Sequence, residues 1–243
     1  MHILITRPQP DASIWRTQLE ALGVTVSVDP LLTINLLPPE TLRLDGIQAL
    51  IATSRNGLRA LRTSPALSQA ITLPLYAVGP GTADLGRELG FIQIHTGPAS
   101  ARDLVPRLTA TIDAAHGRLL HLTGDKLAFD LATALNPFGI FIERVTVYRS
   151  RPATAFQPET IEAFASGTLN AVALTSPLSA QTFVALCQQS LILEHYQRLV
   201  YICLSQNIAD AVQPLQPHTV RVAAQPNTQA MFTLMEALAH TFD

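Results

Sequence analysis

The fold is decided by a pattern that is clearest in Gln48-Ala49-Leu50-Ile51-Ala52-Thr53-Ser54-Arg55-Asn56. A short apolar segment ends in a turn of small polar residues, and a helical segment follows. The same order of strand, polar turn and amphipathic helix recurs about ten times along the chain. Such alternation predicts parallel sheets with helices packed on both faces.

The predicted strands are short and mostly apolar. They cover residues 3–6, 24–28, 48–53, 74–78, 91–95, 118–122, 143–148, 170–175, 199–204 and 219–223. Helical spacings lie between them, for example Leu127, Leu131 and Leu135. Ten strands are too many for one comfortable open sheet, so we expect an α/β fold of two similar lobes, each a five-stranded, mainly parallel sheet flanked by helices.

An internal repeat supports two lobes. Three segments are echoed later in the chain at nearly constant offsets of 122, 126 and 128 residues, namely 53–56 by 175–178, 76–84 by 202–210, and 97–101 by 225–229. The strands at 118–122 and 143–148 resemble those at 3–6 and 24–28, but they follow their lobe's repeated units instead of preceding them.

This order predicts that one lobe is split around the other. Lobe 1 would contain residues 1–35 plus 152–243, and lobe 2, residues 40–148, would be inserted into it. The chain would cross through two extended, proline-bearing linkers at 31–39 and 149–158. Two such lobes suggest a clamshell, with the ligand site in the cleft.

Composition excludes several classes of protein. The chain has 243 residues, of which 48% are apolar and 14% charged, with a net charge of −2. These values argue against a disordered chain and against a protein that binds nucleic acid. Lys126 is the single lysine beside fifteen arginines. This bias fits acidic ligands, since arginine holds carboxylates in a planar fork, but a GC-rich genome would produce it equally well.

Location is indicated by what the sequence does not contain. Cys187 and Cys203 have no metal or redox spacing and each is expected to be a buried, reduced thiol. Residues 1–8 show no signal-peptide pattern, and no apolar run reaches the ~18 residues that span a bilayer. We therefore expect a cytoplasmic protein without a membrane partner.

Polar turns follow nearly every strand, where the ligand sites of open parallel sheets lie. They contain Thr6-Arg7-Pro8, Thr53-Ser54-Arg55-Asn56, Gly79-Pro80-Gly81-Thr82, Thr96-Gly97-Pro98-Ala99-Ser100, Thr123-Gly124-Asp125-Lys126, Thr175-Ser176-Pro177, Ser205-Gln206-Asn207 and Pro226-Asn227-Thr228. Each turn alone is explained by helix capping. Together, helix N-termini gathered at one site would bind a small polyanion.

Familiar catalytic motifs are incomplete. Gly79-Pro80-Gly81 is followed by Asp84 where a dinucleotide-binding loop has its third glycine. The histidines lack metal-ligand spacing, and His95 and His121 are interpreted as packing residues. No cofactor, metal or covalent intermediate is therefore expected. Tyr148 ends a strand just before a predicted linker, so its side chain either packs at a domain edge or presents its hydroxyl to the cleft.

The chain resembles the uroporphyrinogen-III synthase family over nearly its whole length. The residues that carry the resemblance are Ile3-Leu4-Ile5-Thr6-Arg7-Pro8, Thr53-Ser54-Arg55-Asn56-Gly57, Tyr76-Ala77-Val78-Gly79-Pro80-Gly81-Thr82-Ala83, Leu120-His121-Leu122-Thr123-Gly124-Asp125, Val145-Thr146-Val147-Tyr148-Arg149, Thr175-Ser176-Pro177 with Ser179-Ala180, and Ser205 with Ala209. The turn Ser205-Gln206-Asn207-Ile208-Ala209 departs from the family's Gly-Pro-x-Thr-Ala pattern.

The resemblance implies a cyclising lyase that needs no cofactor and converts hydroxymethylbilane, with inversion of ring D, into uroporphyrinogen III. Tyr148 matches the family's best catalytic candidate and would assist the departing hydroxyl. The substrate's eight carboxylates would meet the polar turns. The binding candidates are Arg7, Thr53, Ser54, Arg55, Asn56, Gly79, Thr82, Gly97, Gly124, Lys126, Ser176, Ser179 and Ser205.

Two further expectations concern partners. We expect a monomer that has transient contact with hydroxymethylbilane synthase, the source of the substrate. The alternative from another functional class is a two-lobed sensor that closes on an anionic metabolite without chemistry.

Overall fold

The computed structural model describes residues 1–97, 100–189 and 193–241. Its strands are β1 (His2–Ile5), β2 (Thr25–Val28), β3 (Leu32–Leu36), β4 (Ile47–Ala52), β5 (Leu75–Val78), β6 (Ile94–Gly97), β7 (Arg118–Gly124), β8 (Ile142–Pro152), β9 (Ala171–Leu174), β10 (Val200–Cys203) and β11 (Thr219–Val222). Its helices are α1 (Asp11–Glu20), α2 (Arg55–Arg62), α3 (Leu67–Ala70), α4 (Pro80–Glu88), α5 (Leu104–Thr111), α6 (Leu131–Leu135), α7 (Pro158–Ala165), α8 (Pro177–Gln189), α9 (Leu193–Arg198), α10 (Gln206–Ala211) and α11 (Thr228–Ala239).

The chain divides into two compact units. Unit 1 contains Met1–Thr33 and Arg151–Asp243, and unit 2 contains Ile34–Ser150. Each unit has its own sheet, and each sheet carries a hydrophobic core on both faces. Within the part of the chain that is described, no helix is long and apolar enough to cross a membrane.

The sheet of unit 1 is parallel throughout, with the order β11-β10-β9-β1-β2. Alternate residues of β1 enter opposite cores: Leu4 packs with Phe183 and Tyr201, whereas Ile3 and Ile5 pack against α1 and α11. Burial on both faces explains why these strands are apolar without interruption.

The sheet of unit 2 has six strands in the order β3-β8-β7-β4-β5-β6. The pairs from β8 to β6 are parallel. β3 runs antiparallel to β8, because Ala153 N–H donates to the Leu31 carbonyl (2.9 Å) at one end of the pair and Leu37 N–H donates to the Val147 carbonyl (2.8 Å) at the other. The prediction of alternating strands and helices that form parallel sheets flanked by helices is confirmed.

The prediction of five strands in the second sheet is wrong. The sixth strand is β3, which lies in the linker predicted at 31–39 because prolines flank it. Pro30, Pro38 and Pro39 lie outside β3 and leave its own N–H groups able to pair. Its partner β8 is more than a hundred residues away in sequence, and β8 extends four residues beyond the predicted end at Tyr148.

Two element boundaries also differ from the prediction. The helix expected from Leu127 begins only at Leu131, because the Asp130 carboxylate accepts the N–H groups of Ala132 (3.0 Å) and Thr133 (3.2 Å) and so caps the first turn. β6 begins at Ile94 instead of residue 91, and Phe91 packs as a buried residue ahead of the strand.

The two units share one connection pattern. From the middle of each sheet, two connections lead outward in one direction (β9 to β10 to β11, and β4 to β5 to β6). One connection leads in the opposite direction (β1 to β2, and β7 to β8). The topological switch point therefore lies between β1 and β9 in unit 1 and between β4 and β7 in unit 2, and crevices for ligands form at the carboxyl ends of such strands.

Gly57 lets α2 approach the centre of the unit 2 sheet. A Cβ atom on Gly57 would lie 2.9 Å from the Leu122 carbonyl oxygen of β7, whereas one on Gly81 in α4 would meet Arg55 atoms no closer than 3.8 Å. We predict that Gly57→Ala lowers the free energy of unfolding by about 1–2 kcal/mol, because overpacking against backbone outweighs the gain in helix propensity.

The matched control is Gly81→Ala, which should leave the stability unchanged or raise it by up to about 1 kcal/mol. Urea unfolding of both variants measures the difference. Equal changes in the free energy of unfolding for the two variants would show that the close approach of Gly57 to β7 does not require a glycine.

Candidate active site

The switch point of unit 2 brings together residues from three strands. β4 ends at Ala52 and leads through Thr53 and Ser54 into α2, while β7 ends at Gly124 beside it. β8 pairs with β7 on the other side and places Tyr148 opposite Gly124, at a point where the register of the pair shifts. The carboxyl ends of β4 and β7 thus form one side of the candidate site.

Ser54 is the N-cap of α2. Its backbone is extended, and its Oγ accepts a hydrogen bond from the Asn56 N–H (3.2 Å). Its hydroxyl is also near enough to Tyr148 for a hydrogen bond that lowers the pKa of the phenol. Because the serine oxygen already accepts from Asn56, its proton is available to Tyr148.

Tyr148 packs on Gly124. A Cβ atom at Gly124 would lie 2.6 Å from Cε2 of the ring and 3.0 Å from its hydroxyl oxygen, so only glycine leaves room for the ring in this position. Burial raises the pKa of Tyr148 above its usual value, the Asp125 charge raises it further, and hydrogen bonds with Ser54 and the Gly124 backbone oppose the shift. The phenol is therefore protonated at neutral pH and can donate a hydrogen bond.

Asp125 is fixed beside Tyr148 by two backbone hydrogen bonds. Its N–H donates to the Tyr148 carbonyl (3.1 Å), and its Oδ1 accepts from the Ser150 N–H (3.1 Å). These bonds tie the turn after β7 to β8. The carboxylate is held close enough to Tyr148 to disfavour the phenolate.

Thr53, which follows β4, contacts a buried histidine on the neighbouring strand β7. Its Oγ1 lies 3.1 Å from Nε2 of His121, a β7 residue that is 2% exposed. Burial and the positive charge of Arg144 lower the pKa of His121 to about 4, against a smaller opposing effect of Asp130. The imidazole is neutral at physiological pH.

A second helix N-terminus follows β5. Gly79 has φ +73° and ψ 158°, a conformation that favours glycine, and Pro80 begins α4. Thr82 is buried in the first turn, and the Arg55 side chain passes over Gly81. The N–H groups of such a first turn have no acceptor within the helix and favour an anion.

The remaining candidates of unit 2 lie in different surroundings. Asn56 accepts a hydrogen bond from Arg59 (2.9 Å) in the first turn of α2, and Lys126 is exposed. Gly97 is buried where a Cβ atom would collide with the Leu104 side chain, so it allows α5 to pack on β6. The predicted turn continues through Pro98 and Ala99, which lie outside the described residues.

The switch point of unit 1 is built from a similar set of residues. Thr6 Oγ1 donates to the Ala173 carbonyl (2.7 Å) and joins β1 to β9. Ser176 accepts the N–H of Ser179 (3.0 Å) at the start of α8, and the two hydroxyls lie 2.7 Å apart. Ser205 is the N-cap of α10, but its side chain makes no cap hydrogen bond.

Arg7 lies in the interior of unit 1. Its guanidinium forms an ion pair with Asp11 (3.2 Å) and stacks over the Trp15 ring at 4.2 Å from the centroid. With 9% of its surface exposed, Arg7 stabilises the entry to α1. A role in binding substrate would have to coexist with these contacts.

The sequence matches a family model described as uroporphyrinogen-III synthase HemD over residues 13–233, which is most of the chain. The chain belongs to the uroporphyrinogen-III synthase family. Enzymes of this family are cofactor-independent cyclising lyases of haem biosynthesis. Membership therefore assigns to the chain the formation of uroporphyrinogen III, with hydroxymethylbilane as the substrate.

Solved structures agree on the fold. Uroporphyrinogen-III synthetase from Helicobacter pylori is 19% identical, with 98% of this chain and 99% of that one covered and a TM-score of 0.62. A mutant uroporphyrinogen III synthase from the extremely thermophilic bacterium Thermus thermophilus is 17% identical, with 100% and 98% covered and a TM-score of 0.60. No curated protein gives a significant match to the sequence.

The candidate site includes two residues that sequence reasoning did not select. Asp125 follows Thr123-Gly124 in a predicted turn, and its position there was the only signal. His121 was interpreted as a packing residue. It is buried as that interpretation requires, but its hydrogen bond to Thr53 depends on a pairing of β4 with β7 that sequence spacing does not reveal.

The surroundings of Tyr148 predict two opposite shifts of its pKa. Asp125→Asn removes a nearby negative charge and should lower the pKa of Tyr148, whereas Ser54→Ala removes a hydrogen bond to the phenolate and should raise it. Ultraviolet absorbance titration, with Tyr148→Phe subtracted to isolate this tyrosine, measures both. Shifts of the same sign would contradict the described contacts.

Proposed function

We propose that the switch point of unit 2 is where the chain carries out the synthase reaction, with Tyr148 as the hydrogen-bond donor to the departing hydroxyl. The supporting observation is the position of this phenol, which packs on Gly124 and lies beside the Ser54 hydroxyl. Its raised pKa keeps the proton in place until a substrate group accepts it.

The reaction begins when the hydroxyl of the terminal hydroxymethyl group on ring A leaves as water. This step gives an electrophilic azafulvene, which the substituted carbon of ring D attacks to form a spirocyclic pyrrolenine. That intermediate fragments and closes again with ring D inverted. No redox partner is needed, because the overall change is the loss of one water molecule from the bilane.

Tyr148 is suited to the first step because its oxygen can accept a hydrogen bond from Ser54 while its own proton is donated elsewhere. The Ser54 hydroxyl can donate to the phenol oxygen, which leaves the phenol's own proton for the substrate hydroxyl. A phenol with a raised pKa is a weak acid, and its contribution is therefore a positioned hydrogen bond that strengthens as charge develops on the leaving oxygen.

The substrate carboxylates would be held mainly by helix N-termini and hydroxyl groups. In unit 2 we propose Ser54, Asn56, the first turn of α4 and the exposed Lys126 as partners. Thr53, Arg55, Gly79, Thr82 and Gly124 line or shape the same strand ends, and Ser176, Ser179 and Ser205 offer helix starts in unit 1. Arg7 and Gly97 would act by supporting these turns, since both are buried.

Three properties of the protein remain proposals. We propose a monomeric state and a cytoplasmic location, which suits two buried cysteines that are both free thiols. We also propose a transient contact with hydroxymethylbilane synthase. Free bilane closes in water without inversion, so direct delivery of the substrate would limit that loss.

The reaction itself is tested with hydroxymethylbilane generated by its synthase. The protein should give uroporphyrinogen III at a rate well above the spontaneous closure, and chromatography separates this isomer from uroporphyrinogen I. Formation of isomer I alone, with binding of the bilane intact, would favour the non-catalytic sensor.

Tyr148→Phe should lower kcat about a hundredfold, the low end for general acid catalysis, because the variant keeps the ring and loses only the donor. The matched control is Tyr76→Phe, which removes a buried hydroxyl that hydrogen-bonds Thr111 (2.9 Å) away from the switch point. That control should lose stability by about 1 kcal/mol and keep its kcat. Equal kcat values for the two variants would remove Tyr148 from the mechanism.

A further inference from the structure

His121 is an unusual residue for the middle of a parallel sheet. It lies on β7 between two neighbours, paired with Ile51 of β4 and Arg144 of β8. Only 2% of its surface is exposed, and Leu119, two residues before it on the same face of the strand, packs with Ile51 in the core. An imidazole in this layer costs desolvation that an apolar side chain would avoid.

Unit 1 provides an internal comparison for this position. The central strand pairs of the two units correspond, since Ile5 of β1 faces Ala173 of β9 as His121 faces Ile51. Ile5 is fully buried and apolar. The packing of the shared topology therefore does not require a histidine at this place.

The two units also join their central strands by different hydrogen bonds. In unit 1, the Thr6 hydroxyl reaches the Ala173 carbonyl, which lies inside β9. The corresponding residue of β7 is Leu122, which has no hydroxyl. Unit 2 instead joins the strands through Nε2 of His121 and Oγ1 of Thr53 (3.1 Å), beyond the end of β4 and one residue before Ser54.

We propose that His121 is a positioning residue of the synthase reaction: it holds Thr53, and through it the Ser54 hydroxyl that contacts Tyr148, in the orientation that the reaction needs. The inference rests on the proposed function for its kinetic consequence and on the structure alone for the hydrogen bond. It assigns a role to a residue whose described side-chain hydrogen bond is with Thr53, one residue before the N-cap of α2.

The route of this effect is short. Thr53 and Ser54 are consecutive, and Ser54 both caps α2 and lies beside Tyr148. If Thr53 rotates or shifts, the backbone of Ser54 shifts with it. The Ser54 hydroxyl beside Tyr148 then changes its direction. Displacements of about 1 Å in such a constellation can cost about a hundredfold in rate.

The charge state of His121 suits a fixed hydrogen bond. Arg144 on β8 and Asp130 before α6 are the charged groups that act on it, and burial together with Arg144 keeps the ring neutral. A neutral ring has one donor and one acceptor nitrogen, so a single tautomer can match a single orientation of the Thr53 hydroxyl.

The first test uses paired variants in the bilane assay. His121→Leu should lower kcat at least about tenfold with KM changed less than about twofold, and His121→Gln, whose amide can replace the ring nitrogen, should recover most of the loss. Leu119→Val on the same strand face is the control for core packing. It should keep its kcat although it removes buried apolar volume.

A double-mutant cycle with Thr53 separates positioning from packing. If His121 acts through the Thr53 hydroxyl, His121→Leu should cause no further loss of kcat in a Thr53→Val background. If the losses of kcat from the two single substitutions multiply in the double variant, the proposal is overturned. It is also overturned if His121→Leu has the kcat of the wild type. Thr53→Ser keeps the hydroxyl and should remain coupled to His121.

A measurement without substrate distinguishes this proposal from the function itself. Nitrogen NMR of histidine-labelled protein, with His121→Gln for assignment, should show a neutral single tautomer between about pH 5.5 and 8 that changes in Thr53→Val. A freely titrating His121 would overturn the inference even in an active enzyme. If the wild type shows this signature but forms no isomer III, the proposed function fails and the hydrogen bond stands.

Discussion

The parallel pairing of β4 with β7 is the interaction on which the rest of the site depends. Both strands lie in the centre of the unit 2 sheet, where Leu50 and Leu120 face one core and Ile51 and Leu119 the other. A slip of one residue would reverse both faces, so the register is fixed by burial. Ser54 and Gly124 lie at the ends of these strands, so their positions are fixed together with the register. A long loop could not hold them as precisely.

One topology serves two different purposes in the two units. Unit 1 uses the turn after β1 for internal contacts, since Thr6 ties β1 to β9 and Arg7 is held by Asp11 and Trp15. In unit 2 the corresponding strand β7 ends at Gly124, which is small enough for a tyrosine ring from β8 to lie across it. The missing side-chain volume at this strand end thus makes room for the ring of Tyr148.

Local patterns in the sequence reveal the elements, but not the pairings. Alternating apolar segments and polar turns were sufficient to predict parallel sheets flanked by helices, and the turns that follow β4 and β7 were recognised as candidate sites. β3 was missed because its partner β8 is far away in sequence, and the start of α6 was missed because a capping carboxylate overrides leucine spacing. The role of His121 depends on which strand lies beside β7, and residue spacing contains no such information.

The weakness of the proposed acid is consistent with the problem that the enzyme has to solve. Hydroxymethylbilane closes without help to the isomer in which ring D is not inverted, so loss of the hydroxyl must occur only from the correctly folded substrate. A strong acid would release the hydroxyl from any conformation and feed the uninverted product. A phenol whose pKa is raised by burial and by Asp125 assists only where its hydrogen bond is well aligned. In the proposed mechanism, selectivity depends on how firmly Ser54, Gly124 and the strands behind them hold Tyr148, so rigid positioning matters more than acidity.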